Sequence, residues 1–127
     1  IAITRLLSSH GYRVLVLSRG YRSKRPYQLG EKLTPEHGDE PYCIQQAVPN
    51  SVVYVGRQRA QLARQALSLQ RFDVVVLDDG HQHHALHKDL DLVLLDAKRG
   101  LGNGHCLPLG PCREPWQVLP GVTYVWV

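Results

Sequence analysis

No run of about 20 apolar residues occurs in this 127-residue chain, so no part of it reads as a membrane-spanning helix. Cysteine is scarce: Cys43, Cys106 and Cys112 form an odd set at spacings that match no disulfide scaffold. No signal peptide precedes them, so a reducing compartment is the expectation. No Gly-Lys pair exists, which excludes a phosphate-binding glycine loop ending in Gly-Lys-Ser/Thr from this stretch. The eight prolines and eleven glycines are dispersed, not massed, and disorder is not indicated. Charge of one sign is not strongly in excess. Fifteen Lys and Arg against eleven Asp and Glu give +4, which favours anionic partners such as phosphorylated metabolites or anionic lipid. A nucleic-acid groove would need more charge and more interleaved aromatics, and none is expected. The length suits one domain that buries roughly two-thirds of its unfolded surface.

The chain is organised around Phe72 to Ala97, FDVVVLDDGHQHHALHKDLDLVLLDA. The apolar run Val74 to Leu77 breaks into Asp78, Asp79 and Gly80, crosses a histidine-rich segment, and is answered by a second run, Leu92 to Leu95, that stops at Asp96. Continuous β-branched and leucine runs of this length suit strands covered on both faces, as in parallel sheets. Ligands of open parallel sheets gather beyond the carboxyl ends of the strands, where Asp78, Asp79 and Asp96 would stand.

In chain order, Ile3, Leu6 and Leu7 repeat with helical spacing and Gly11 supplies a stop. A strand follows over Val14 to Leu17, then the basic loop SRGYRSKRP closed by Pro26. Residues 27–37 show little periodicity and read as irregular. Acids followed by proline at Gly38-Asp39-Glu40-Pro41 mark a helix start. Ser51 to Val55 is a strand, and Arg57 to Gln70 is a helix with Ala60, Ala63 and Leu67 on one side. The segment 98–115 holds four glycines and three prolines, a long loop of the kind that is usually functional, and Val122 to Val127 supplies a last strand. This order predicts a three-layer α/β domain with a mainly parallel sheet. Only about ten residues separate Asp79 from Asp91, near the minimum for a parallel crossover, so the strands flanking them pair either way.

Each chemical motif has a plainer counterpart. Asp78-Asp79 at a strand end suits Mg²⁺, which takes hard oxygen ligands and is usually held by one or two carboxylates plus phosphates; Asp-Gly is also a common turn dipeptide. His83 and His87 at i, i+4, with His81, His84, His105, Cys106 and Cys112, make a zinc site conceivable. Against it, no C-x₂-C pair occurs and no glutamate sits between the two histidines. Arg19, Arg22, Lys24 and Arg25 with Tyr21 read either as a solvated cluster or as a grip on phosphate oxygens. Asp39 reads as a helix-capping acid or as a proton acceptor in phosphoryl transfer.

Taken together, SRGY (Ser18 to Tyr21), GDEP (Gly38 to Pro41), LDDGHQH (Leu77 to His83), GNG (Gly102 to Gly104) and LPLGPCREP (Leu107 to Pro115) resemble the tetraacyldisaccharide 4'-kinase (lipid A 4'-kinase) family. The resemblance implies an incomplete P-loop-NTPase-like kinase domain over residues 1–127, cut from a longer protein at both ends. It implies ATP and Mg²⁺ as cofactors and phosphorylation of the 4'-hydroxyl of an acylated glucosamine disaccharide 1-phosphate. It also implies peripheral contact with the bacterial inner membrane on its cytoplasmic face. Residue by residue, it makes Asp39 the base on the sugar hydroxyl, with Asp79 the second catalytic acid. Asp78, Asp79 and Glu114 become the metal acids, and Arg19, Tyr21, Gln82, His83 and Arg113 the contacts to phosphate or sugar. His81 stands where the family usually has a bulky apolar residue, and Cys112 where an aliphatic one is usual.

Two rival readings are another Mg²⁺-dependent P-loop NTPase acting on a soluble partner, and a non-catalytic metal- or anion-binding module built on the histidines and the basic loop. Lacking a lysine loop to cradle phosphates, residues 1–127 alone are expected to be inactive. ATP-dependent phosphorylation of the disaccharide by this stretch, purified by itself, would contradict that.

Overall fold

The computed structural model describes residues 1–21, 23–25 and 27–126. Arg22 of the basic loop, Pro26 that closes it and Val127 of the last strand lie outside them. The chain divides into two compact units, Ile1–Asp79 and Gly80–Val127.

In the first unit α1 (Ala2–Ser9) ends as its sequence signals. The Tyr12 and Gly11 N–H groups reach back to the carbonyls of Leu7 (3.2 Å) and Ser8 (3.1 Å), with Gly11 at φ +84°. The helix seats Thr4 and Leu7 inward and leaves Ile3 and Leu6 exposed. Next comes β1 (Val14–Ser18), buried at every position, as a strand with neighbours on both edges and cover on both faces must be. Its neighbours β2 (Val52–Val55) and β3 (Val74–Leu77) both run parallel to it, in the order β2-β1-β3, with Leu15 opposite Val52 and Val75.

One face of this sheet carries Val14, Val16, Val53 and Val55 against Leu33 and Ile44, with Leu7, Tyr27, Tyr42 and Val76 around them. Ile44 comes from α2 (Asp39–Ala47). Leu15 and Leu17 alternate to the other face and are fully buried. The third helix, α3 (Arg59–Leu69), contacts β1 and buries Arg59, Ala63 and Ala66. The sequence pattern places Leu67 on the inner stripe; the structure leaves it 51% exposed. Two alanines let the helix backbone approach the sheet, and the buried stripe rotates accordingly. Paired with β1, β3 is half-buried, with Val75 exposed, and not sunk like β1.

Residues 27–37, read as irregular, hold a short 3₁₀ turn (Pro35–His37) that drives His37 to 0% exposure. The Thr34 N–H donates to His37 Nδ1 (3.0 Å), so Nε2 carries the proton, and it faces Glu31 Oε1 at 3.0 Å. The ring stands edge-on to Tyr27 at 5.5 Å.

In the second unit β4 (Leu92–Leu94) pairs parallel with β5 (Tyr124–Trp126), anchored by Asp91 N–H to Thr123 Oγ1 and Thr123 N–H to the Asp91 carbonyl, both 2.9 Å. The expected mainly parallel sheet is borne out: β1, β2 and β3 form a three-stranded parallel sheet in the first unit, and β4 and β5 a parallel pair in the second. Residues 80–91 make turns and no helix. The helical spacing of His83 and His87 is likewise not realised. Most of 98–115 is turn, as its glycines and prolines dictate, and a 3₁₀ segment (Trp116–Gly121) leads into β5.

Where β1 and β3 begin, Arg13 and Asp73 clamp the sheet. Asp73 accepts from Arg13 N–H (2.8 Å), Nε (3.0 Å) and Nη2 (2.8 Å). Hydrogen bonds from the Arg13 side chain and backbone hold the Asp73 carboxyl down to about 2. A depressed folded-state value means stabilisation that is complete above the ordinary carboxylate range and disappears as pH falls toward the folded value. Asp73→Ala should therefore lower the urea midpoint at pH 7, with the gap to the parent narrowing between about pH 4 and about pH 2. A gap independent of pH would show that the clamp acts through packing alone.

Candidate active site

Parallel pairing sends the carboxyl ends of β1, β2 and β3 to one rim of the first unit. Ser18 closes β1, and its Oγ donates to Asp78 Oδ2 at 3.0 Å just past β3. The Asp78 N–H continues the ladder to the Leu17 carbonyl (3.0 Å), and the Gly56 N–H does the same to the Ser18 carbonyl (2.9 Å). The turn after β1 is tight because Gly20, at φ +71°, packs where any side chain would meet Val55 Cγ1 at 2.5 Å. That approach brings Arg19 and Tyr21 to the rim; Tyr21 is 75% exposed.

Two residues that sequence reasoning passed over complete this edge. Arg59, first residue of α3, is only 6% exposed. Its Nη1 donates to the Asp78 carbonyl (2.5 Å) and reaches the Asp79 carbonyl (3.3 Å). Burial, and secondarily Arg19, lower its pKa, while the Asp78 and Asp79 charges oppose that. A buried arginine is rare unless paired; in the sequence it was one of several arginines on a helix read as amphipathic, with nothing to mark it. Glu40 is the other. Burial first, then the charges of Asp78 and Asp79 and a side-chain hydrogen bond to Asp78, push its carboxyl up. Its place beside Asp39 in GDEP was the available signal.

Asp39 is the first residue of α2, exposed, and immediately precedes Glu40. It is not the capping residue: Gly38 occupies that position, with no side-chain cap. Asp79 sits in the left-handed region at φ +49°, the only described residue other than glycine that does so. In the basic loop Arg25 is engaged by Glu31, and Ser23 and Lys24 tie to the Glu36 carbonyl, which docks the loop on the turn before α2.

The remaining sequence-nominated residues fall in the second unit. Gln82 is exposed and His83 half-buried, its N–H turned back to the Gly80 carbonyl (2.9 Å). Arg113 is exposed, and Glu114 lies 3.4 Å from His81 Nε2. The other nitrogen of His81 meets Asp91 at 2.8 Å, and Lys88 adds a contact to Asp91 at 3.2 Å. Burial opposes it, but hydrogen bonds from His81 and Lys88 hold the Asp91 carboxyl low. The structure thus gathers Arg19, Tyr21, Asp39, Asp78 and Asp79 in one unit, and Gln82, His83, Arg113 and Glu114 in the other.

Among the described residues no three His, Cys, Asp or Glu groups close into a metal site by themselves. The donors Ser18, Glu40, Asp78 and Asp79 are all hard oxygens, and the charges of Asp78 and Asp79 add to burial in raising Glu40. That set suits a Mg²⁺ ion that takes its remaining ligands from phosphate and water.

Fold and rim together define an open parallel α/β protein with an acidic strand-end site, the class that holds phosphorylated ligands beyond its strands. Comparison with known proteins is specific. All 127 residues match the tetraacyldisaccharide-1-P 4'-kinase family, and the chain belongs to it. It is 43% identical to the tetraacyldisaccharide 4'-kinase of Anaeromyxobacter sp. (strain K), over 100% of this chain and 35% of that protein. It is 48% identical to that of Syntrophobacter fumaroxidans, over 89% of this chain and 32% of that protein. The crystal structure of an LpxK from Aquifex aeolicus in complex with ATP superposes with a TM-score of 0.83 at 32% identity, covering 98% of this chain and 41% of that one. The chain spans about a third of the length of the curated relatives it matches. The family resemblance carried by the five motifs is borne out.

The left-handed turn at Asp79 has a measurable cost. A Cβ in that conformation is strained by roughly 1 kcal/mol and glycine is not, so Asp79→Gly should be about 1 kcal/mol more stable to urea than Asp79→Ala. Equal stabilities would show that the turn relaxes once the carboxylate is gone.

Proposed function

We propose that the full-length protein transfers the γ-phosphoryl group of ATP to the 4'-hydroxyl of an acylated, 1-phosphorylated glucosamine disaccharide. The observation that supports this most is the convergence of the SRGY, GDEP and LDDG segments on one strand-end rim, in a chain matched along its whole length by the family. In this reading the Asp39 carboxylate accepts the proton of the 4'-hydroxyl as the new O–P bond forms and the bond to the β-phosphate oxygen breaks, releasing ADP. Asp78 and Asp79, with Ser18 and Glu40 beside them, would hold Mg²⁺, which when bound neutralises charge on the phosphates. Glu114 is assigned to the metal by resemblance alone.

Arg19 and Tyr21 at the rim are assigned to phosphate and sugar contacts, where positioned cations and hydrogen bonds supply most of the rate; Gln82, His83 and Arg113 carry the same assignment by resemblance alone. Arg59 acts indirectly by fixing the Asp78-Asp79 backbone. The phosphate-cradling lysine loop is assigned to the part of the protein outside this chain. Among the described residues no helix is long and apolar enough to cross a membrane. Peripheral contact with the cytoplasmic face of the inner membrane is assigned on the amphiphilic character of the substrate.

The discriminating experiment is steady-state kinetics of full-length Asp39→Asn. Turnover should fall by about 10²–10⁴-fold while the KM for ATP changes less than about twofold, since only the transition state needs the proton acceptor. A raised KM with turnover intact would remove Asp39 from the chemistry, and a loss confined to thermal stability would leave it a helix-start acid.

A further inference from the structure

Within the second unit, the loop before Arg113 is built around two cysteines that face each other. The Leu107 N–H donates to the Cys112 carbonyl (2.9 Å) and the Cys112 N–H to the His105 carbonyl (3.2 Å). This is the hydrogen-bond pair of an isolated parallel bridge, with Cys106 opposite Cys112. Directly opposed residues stand about 4.8 Å apart at Cα, by the ordinary strand spacing, with side chains on the same side of the ladder. Disulfides span Cα separations of roughly 4.4–6.8 Å. Both thiols are free and partly accessible.

The loop holds this arrangement by its own bonding. Asn103 Nδ2 donates to the Leu109 carbonyl (2.9 Å), the His105 N–H to Asn103 Oδ1 (3.1 Å), and the Gly110 N–H to the Cys106 carbonyl (3.0 Å). A side chain at Gly110 would collide with Asn103 Oδ1 at 2.1 Å, so the crossing requires glycine. The one contact to be surrendered is weak, Cys112 Sγ to the Leu101 carbonyl at 3.5 Å.

We propose that Cys106 and Cys112 form a reversible intramolecular disulfide, a redox modification site on the loop that ends in Arg113 and Glu114. The oxidant is a low-molecular-weight disulfide such as oxidised glutathione. One cysteine thiolate attacks it, forming a mixed disulfide and releasing one thiol; the second cysteine then displaces the other thiol and closes the ring. Two protein S–H bonds and one small-molecule S–S bond are consumed, and one protein S–S bond and two small-molecule S–H bonds are formed. The two electrons and two protons leave with the oxidant. Preset opposition of the two residues on the backbone favours closure over a persistent adduct, because the second thiol starts beside its partner. An accessible pair in a reducing compartment is of the labile, responsive kind. This inference is independent of the phosphotransfer reading.

The test uses the full-length protein equilibrated with oxidised glutathione, alkylated under denaturing conditions and digested with trypsin without reduction. The tryptic peptide 100–113 contains both cysteines. It should be found mainly unalkylated and lighter by two hydrogens, and should become doubly alkylated after dithiothreitol. Cys106→Ser and Cys112→Ser should each abolish the linked form, leaving one alkyl group or one glutathione; Cys43→Ser should leave it unchanged. A wild-type peptide that stays doubly alkylated, carries glutathione, or is linked to Cys43 overturns the proposal.

Discussion

The structure depends on the parallel pairing of one strand. Because β1 lies between β2 and β3 and runs in their direction, the segments that leave all three strands emerge on a single rim. Its five buried residues make that position obligatory: Val14 and Val16 need cover on one face, Leu15 and Leu17 on the other. An antiparallel neighbour would have sent Asp78 to the far end, away from Ser18.

Concentrating acids at that rim has an electrostatic cost: burial first, and then the charges of Asp78 and Asp79, push the Glu40 carboxyl up. The counterweight is built into the fold. The guanidinium of Arg59 is buried under the same turn and satisfies the two backbone carbonyls, while Ser18 donates to the Asp78 carboxylate. The left-handed Asp79 belongs to the same pattern, since strain of this sort persists only where surrounding contacts over-determine it.

Much of this was legible in the residues. The apolar runs ending in acid, the Gly11 stop, the helix start at Asp39 and the glycine-rich loop all report local physics, and each falls within a few residues of its place in the structure. The misreadings share one cause: they concern which neighbour an element finds. Leu67 sits on a plausible apolar stripe, yet two alanines pack more closely on the sheet. His37 carries no apolar pattern, yet a 3₁₀ turn and Glu31 make it the most deeply buried ionisable side chain among the described residues.

By itself the sequence determined what short-range rules and motif chemistry encode: a parallel α/β chain, its strand ends, its family and the residue types suited to phosphate and magnesium. Periodicity and turn chemistry act over a few residues, so they can be read from a few residues. Only the tertiary structure decided that Arg59 would lie under the Asp78-Asp79 turn, that Glu40 would hydrogen-bond to Asp78, and that Cys106 would stand opposite Cys112. Those outcomes depend on burial and on approach between distant or looped segments, and a residue's own neighbours in the chain carry no record of either.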